Sequence, residues 1–181
     1  GFAPARQLQE ALSAKAGRVD YLGVAGTAGK TTAAALTAAV LRAAGLVTGS
    51  YHAGWEPLSA RIRVNGEPVA PELLAQAAET LSARETLPRA AAELAAAARC
   101  FGEASCALAV VELPDAGLAE ALPKMSVCAV TSIGPDGISA SLERSAALAA
   151  GVMRKGSICV TAPEQPKAVG RELIVDAGKG D

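Results

Sequence analysis

The chain has 181 residues, 17 basic and 18 acidic side chains, a formal net charge of −1 and 3% aromatics. That length suits a single α/β domain with a proper core, and the balanced charge with so few aromatics excludes a basic field or a stacking platform for nucleic acid. Although 51% of the residues are hydrophobic, alanine inflates that share, and no apolar run reaches the roughly 20 residues that span a bilayer.

The N-terminal stretch GFAPARQLQEALSAKAG has no apolar core of a signal peptide, so the expected address is cytoplasmic. Within it Leu8 and Leu12 stand at i, i+4, which predicts an amphipathic helix over 5–16 ending at Gly17.

Residues 19–44 organise the rest. VDYLGVA reads as a strand, GTAGKTT as a glycine-rich turn and AAALTAAVLRAAG as a helix closing at Gly45. Glycines let successive N–H groups curl around an anion, the helix N-terminus adds partial positive charge, and Lys30 reaches the outer phosphates. Gly26, Thr27, Ala28, Gly29, Lys30, Thr31 and Thr32 are therefore the candidate nucleotide-binding residues, with Thr31 placed for Mg²⁺. The longer Walker spacing would want glycine where this chain has Val24, so the match is to a shorter Gly-Thr-x-Gly-Lys-Thr form.

Leu46 to Ser50 reads as a second strand, and SYHAGWEPLSA as an irregular loop. His52, the single histidine, is a possible site residue against the default of a solvated loop side chain. Trp55 is expected to cap a core edge, with stacking on a planar ligand as the alternative. Asn65-Gly66 predicts a tight turn between Arg61–Val64 and Glu67–Val69, a β-hairpin lying to the side of the main sheet. Arg61 and Arg63 alternate on it, which reads as a solvated face.

Helices are expected from Pro71 over ELLAQAAETLSA and from about Pro88 to Phe101. CALAVVEL, SVCAVTSI and SICVTA then read as strands apolar on both faces, the kind found in the middle of a parallel sheet under helices. The first ends in Glu112, on the sheet edge where open α/β folds bind ligands, which makes it a metal-ligand candidate. Asp136 follows the second strand and is a possible Mg²⁺ contact through water. Arg154 and Lys155 suit a helix C-terminus, and RELIVDAGKGD is read as a final strand before a glycine-rich end. Cys100, Cys106, Cys128 and Cys159 have no C-x-x-C spacing and read as reduced core thiols.

These stretches together resemble the ATP-binding domain of the folylpolyglutamate synthases and, more distantly, of the Mur ligases. VAGTAGKTTAAALTAAVLRAAG is similar to that family's phosphate loop and helix, SYHAG to its Ser-Pro-His loop and RIRVNGEPV to its hairpin. VVEL, AVTSIGPDG and AAGVMRKGSICVTAPEQPKA follow in the family's order, so the resemblance covers about 19–168. It implies a three-layer α/β phosphate-loop fold, a mostly parallel sheet with helices on both faces and a small hairpin. It also implies ATP and Mg²⁺ as cofactors, with phosphates on Gly26, Thr27, Gly29 and Lys30 and a first Mg²⁺ held by Thr31, Ser50 and Glu112.

The activity implied is amide-bond formation, in which ATP phosphorylates a carboxylate and an amine attacks the acyl phosphate. The departures from the family pattern bear on that activity. Gly137 follows Asp136 where the family has a metal-binding histidine, and Ala149 stands where it has a carbamylated lysine. Pro114-Asp115-Ala116-Gly117 replaces a glycine-rich segment, and Ala91 falls where a helix glutamate is expected. The chain also stops where the family continues into a C-terminal domain, so 1–181 is expected to be a single ATP-binding domain without it. The expected function is an ATP/Mg-binding domain impaired as a ligase by itself or dependent on a separate C-terminal domain or second subunit. The alternatives are a non-catalytic, nucleotide-responsive module or a small stand-alone NTPase.

Overall fold

The computed structural model describes residues 12, 15–82, 87–114, 118–119, 122, 125–133 and 157–161. A 3₁₀ turn at Ala16–Arg18 leads into strand β1 (Asp20–Ala25), helix α1 (Lys30–Ala43) and β2 (Thr48–Tyr51). A one-turn helix α2 (Leu58–Arg61), β3 (Ile62–Val64), β4 (Glu67–Pro68), α3 (Pro71–Ser82) and α4 (Arg89–Glu103) follow. The described chain continues with β5 (Leu108–Glu112), β6 (Met125–Val130) and β7 (Ile158–Thr161).

The seven strands form one sheet in the order β4-β3-β2-β5-β1-β6-β7. Pairing is parallel from β2 through β7, and antiparallel from β2 to β3 to β4. The hairpin is thus the antiparallel edge of the main sheet, where a side feature was expected. Its turn matches the expectation: Asn65 and Gly66 both have positive φ, 53° and 86°, as a two-residue connection requires.

Alternation along β5 decides which helix covers which face. Ala109 and Val111 join the larger core with Tyr21, Tyr51, Ile62, Leu94 and Phe101, under α4. Val110 turns the other way and packs with Val24 against Ala34 of α1. Period-two strands between helices of opposite faces give the three-layer α/β architecture expected. Proline opens both α3 and α4, since Pro71 is the first residue of one and Pro88 the N-cap of the other, where a missing N–H costs nothing.

Three expectations change. Residues 58–61 are helical, so Arg61 leaves the hairpin strand and is buried. The SICVTA strand closes the observed order instead of lying mid-sheet, with Ile158 54% exposed; apolar residues alone do not distinguish an edge strand from a central one. Strand β2 starts two residues late, at Thr48, because Leu46 and Val47 remain exposed after α1. All four cysteines are free and buried, and among the described residues no helix is long and apolar enough to cross a membrane. The expected helix 5–16 lies almost wholly outside the described residues, as do the 171–181 strand, Arg154 and Lys155.

Candidate nucleotide site

Gly26 follows β1 with φ +131°, and a Cβ there would fall 2.3 Å from Thr131 Oγ1 and 2.9 Å from the Ser132 carbonyl. Only glycine fits both the conformation and the space. The loop is then pinned from the segment after β6. Thr27 donates its N–H and Oγ1 to the Ser132 carbonyl at 2.8 and 3.1 Å, while Thr131 Oγ1 and Ser132 Oγ donate to the Ala28 carbonyl at 2.6 and 3.1 Å. Thr131 and Ser132 belong to the AVTSIGPDG stretch, and their anchoring role was not read from the sequence.

Helix α1 starts at Lys30, with Gly29 as a left-handed N-cap (φ 80°), no side-chain cap and no acidic residue in its first turn. Its first N–H groups lack intrahelical partners and carry the positive end of the helix dipole. That is the arrangement an anion requires. Lys30 folds back and donates to the Gly26 carbonyl at 3.0 Å, placing its Nζ 4.0 Å from Glu112 Oε1.

Glu112 ends β5 and is buried, 4% exposed, rather than at the solvent face of a strand end. Its Oε2 accepts from Thr31 Oγ1 at 2.9 Å and from the Ala53 N–H at 3.2 Å. Ser50 is also buried; it lies level with Val110 on the neighbouring strand, so it shares the α1-facing side with Glu112 two positions on. The donor set fits Mg²⁺ in its chemistry. It consists of hard oxygens, and two of them, Thr31 Oγ1 and Glu112 Oε2, already stand side by side in a hydrogen bond of 2.9 Å. Among the described residues no three His, Cys, Asp or Glu side chains cluster, so any metal here relies on hydroxyls beside the single carboxylate.

The loop 52–57 covers this edge and is held by Arg61. Arg61 Nε and Nη1 donate to the Glu56 and His52 carbonyls at 2.9 and 3.3 Å, and Nη1 and Nη2 form a bidentate pair with Glu93 at 2.8 Å each. Tyr51 adds its hydroxyl to Glu93 at 2.9 Å. Arg61, 3% exposed, is therefore a loop anchor and not part of a solvated hairpin face. The Arg61 guanidinium and further hydrogen bonds hold the Glu93 carboxyl down at about 2, and burial pushes the Tyr51 phenol up. The sequence signal for Glu93 was available: it is the sole acidic residue between Pro88 and Phe101, two positions from the Ala91 place where the family pattern put a glutamate.

His52 is half-buried instead of solvated, and its Nδ1 is buried without a partner among the described residues. Burial lowers its pKa against the opposing pull of Glu112. Trp55 is 90% exposed, so it caps no core edge; the loop after Gly54 carries it out over the surface. A cavity of about 680 Å³ runs beside α1 and is lined by Thr31, Ser50, His52, Trp55, Arg42 and Arg63 among others. Of the candidates, Gly26–Thr32, Ser50, His52 and Glu112 thus collect at one sheet edge. Asp136 lies outside the described residues, as do Gly137, Ala149 and 115–117.

No protein-family profile matches the chain. Human mitochondrial folylpolyglutamate synthase is 31% identical over 174 residues, which cover 86% of this chain and 30% of that protein. The chain is homologous to the ATP-binding domain of the folylpolyglutamate synthases. The fold of this domain agrees with theirs. E. coli FolC in complex with ADP superposes with a TM-score of 0.80 at 23% identity, over 93% of this chain and 44% of that one. Mycobacterium tuberculosis folylpolyglutamate synthase complexed with ADP gives 0.74 at 21%, over 92% and 42%. The domain spans less than half the length of each of these relatives.

Proposed function

We propose that this domain binds ATP with one Mg²⁺ and supplies the nucleotide half of an ATP-dependent carboxylate–amine ligase. The observation that carries the reading is the Thr31–Glu112 oxygen pair, 2.9 Å apart, beside Lys30 at the opening of α1. The ADP bound by two structural relatives supports it. Gly26, Thr27, Ala28, Gly29, Lys30, Thr31 and Thr32 would hold the phosphates. Thr31, Ser50 and Glu112 would hold Mg²⁺, which when bound neutralises charge on a transferring phosphoryl group.

This chain's own part is positioning. The uncapped helix start and the glycine loop orient an anion, Lys30 leaves the Gly26 carbonyl to meet the outer phosphates, and Arg61 holds the loop that keeps Ala53 N–H on Glu112. Amide formation would in addition need what the matched region of the relatives does not include, whether from this polypeptide or another. A cytoplasmic setting belongs to the same proposal.

A nucleotide-responsive, non-catalytic role is the second reading, motivated by Gly137 and Ala149 in place of the family's second-metal residues. Calorimetric titration of ATP with and without Mg²⁺, followed by phosphate release in the same sample, separates the two. Magnesium-dependent binding that Lys30→Ala weakens by about tenfold or more is the expected result. Unchanged affinity in Lys30→Ala would refute the site, and binding without release on addition of any partner would favour the second reading.

A further inference from the structure

The cavity beside α1 has two chemically different ends. At the start of the helix lie Thr31, Ser50 and His52, the group assigned above to nucleotide and metal. Arg42 in the last turn lines the other end, and Arg63, which stands opposite Ser50 in the β2–β3 pairing, reaches the same hairpin turn with its guanidinium. Thr31 and Arg42 stand eleven helical positions apart, a rise of about 16 Å.

The far end is built, not incidental. Arg42 Nη1 donates to the Asn65 carbonyl at 3.3 Å, and Arg63 Nη1 to the Gly66 carbonyl at 3.0 Å. Two guanidiniums therefore sit on consecutive carbonyls of one turn. The turn itself is fixed, because Asn65 exchanges two bonds with Thr48: its N–H to the Thr48 carbonyl at 2.8 Å, and its Oδ1 from the Thr48 N–H at 2.9 Å. Gly66 suits the turn through its φ of +86°.

Charge is left over at this end. Arg63 Nε also donates to the Ala60 carbonyl at 3.1 Å, but every partner of Arg42 and Arg63 among the described residues is a neutral carbonyl. The third arginine of the cavity, Arg61, is neutralised by Glu93, and Glu56 is the one acidic residue lining the cavity against them. Two like charges held on one turn repel each other, a bound anion relieves that repulsion, and guanidinium donors suit carboxylate or phosphate oxygens.

We propose that Arg42 and Arg63, mounted on the Asn65–Gly66 turn, form an anion subsite for a carboxylate or phosphate group of an elongated ligand seated in the cavity. The volume, about 680 Å³, is in the range of small-molecule sites. The subsite stands on its own residues; only the identity of what meets the ligand's other end rests on the nucleotide reading. Such a ligand is an acyl substrate anionic at both ends, with the reacting carboxylate toward Thr31 and a second anion at Arg42 and Arg63.

The test uses two simple probes, citrate and inorganic pyrophosphate, titrated calorimetrically into wild type, Arg42→Ala, Arg42→Lys, Arg63→Ala and Lys30→Ala at low and moderate salt. The expected result is weak, salt-sensitive binding, reduced about tenfold or more by Arg42→Ala, less by Arg42→Lys, and unaltered for citrate by Lys30→Ala. Arg42 is exposed at a helix end, so its variants retain the fold, which carries the test if Arg63→Ala does not. Citrate preference assigns a carboxylate ligand, and pyrophosphate binding that survives in Lys30→Ala assigns a phosphate one. Binding of neither probe, or equal binding by wild type and Arg42→Ala, overturns the subsite. So does binding that Lys30→Ala removes and Arg42→Ala leaves. Retained citrate binding in a protein that fails to bind ATP would sink the nucleotide reading while leaving this site standing.

Discussion

Replacing Arg61 by methionine tests whether the loop over the site depends on a buried ion pair. In the wild type the Glu93 carboxyl titrates near 2, against an ordinary value of 4.5, which at about 1.4 kcal/mol per unit corresponds to about 3 kcal/mol at neutral pH. Most of this belongs to Arg61, because Arg89, the other cation on Glu93, is 79% exposed and solvent screens it. Arg61→Met also strands Glu93, whose side chain is 16% exposed, without its buried partner, a loss typically of about 3–5 kcal/mol. We expect a fall of about 3 kcal/mol, or about 6–12 °C in Tm for a chain of this size, measured by circular dichroism at pH 7.

The sign with pH follows from a carboxylate whose folded pKa is depressed. Its contribution is complete above the unfolded value of about 4.5 and disappears as pH falls through about 2. The gap between wild type and Glu93→Gln should therefore be full at pH 7 and narrower at pH 3. Because Arg61 also holds the His52 and Glu56 carbonyls, Arg61→Met should weaken the Mg²⁺ dependence of ATP binding at temperatures where the variant is still folded. Equal midpoints at pH 7, or a gap that does not change down to pH 3, would refute this account of the pair.

Gly26→Ala should lower Tm by several degrees and abolish ATP binding together, since its Cβ meets Thr131 and Ser132; a folded, binding-competent variant would contradict the packing described. Glu112→Gln should leave ATP affinity without Mg²⁺ nearly unchanged and remove the gain that Mg²⁺ confers, as read by the same calorimetry. His52, being the sole histidine, gives a clean proton NMR titration, and burial should place its midpoint below 6.5. The unfolded chain then binds the proton more readily, so this residue lowers stability as pH falls below 6.5; a midpoint above 6.5 would show that Glu112 dominates instead.

Much of this protein is legible as a string because its signals are local. The strand–turn–helix at 20–43 follows from a β-favouring run, two glycines that take positive φ and a run of helix formers. Pro71 and Pro88 open helices where the sequence places them, and Asn65-Gly66 turns where two residues must adopt positive φ. The continuous apolar run CALAVVEL put Glu112 at the end of a strand, since the carboxyl edge of a parallel sheet is common to all its strands. Local rules go wrong where a side chain's partner is distant: Arg61 and Arg63 alternate like a solvated face, yet Arg61 meets Glu93, 32 residues away.

What the sequence by itself determined is thus most of the described strands and helices, their boundaries within a few residues and the chemistry the glycine loop can offer. The tertiary structure alone decided which side chains meet. Glu112 contacts Thr31 across 81 residues because β5 lies between β1 and β2, and Arg42 reaches the Asn65 carbonyl because the hairpin joins the sheet edge beside α1. Strand order sets these encounters, and it follows from how both faces of the sheet are buried at once, a global condition that no window of residues contains.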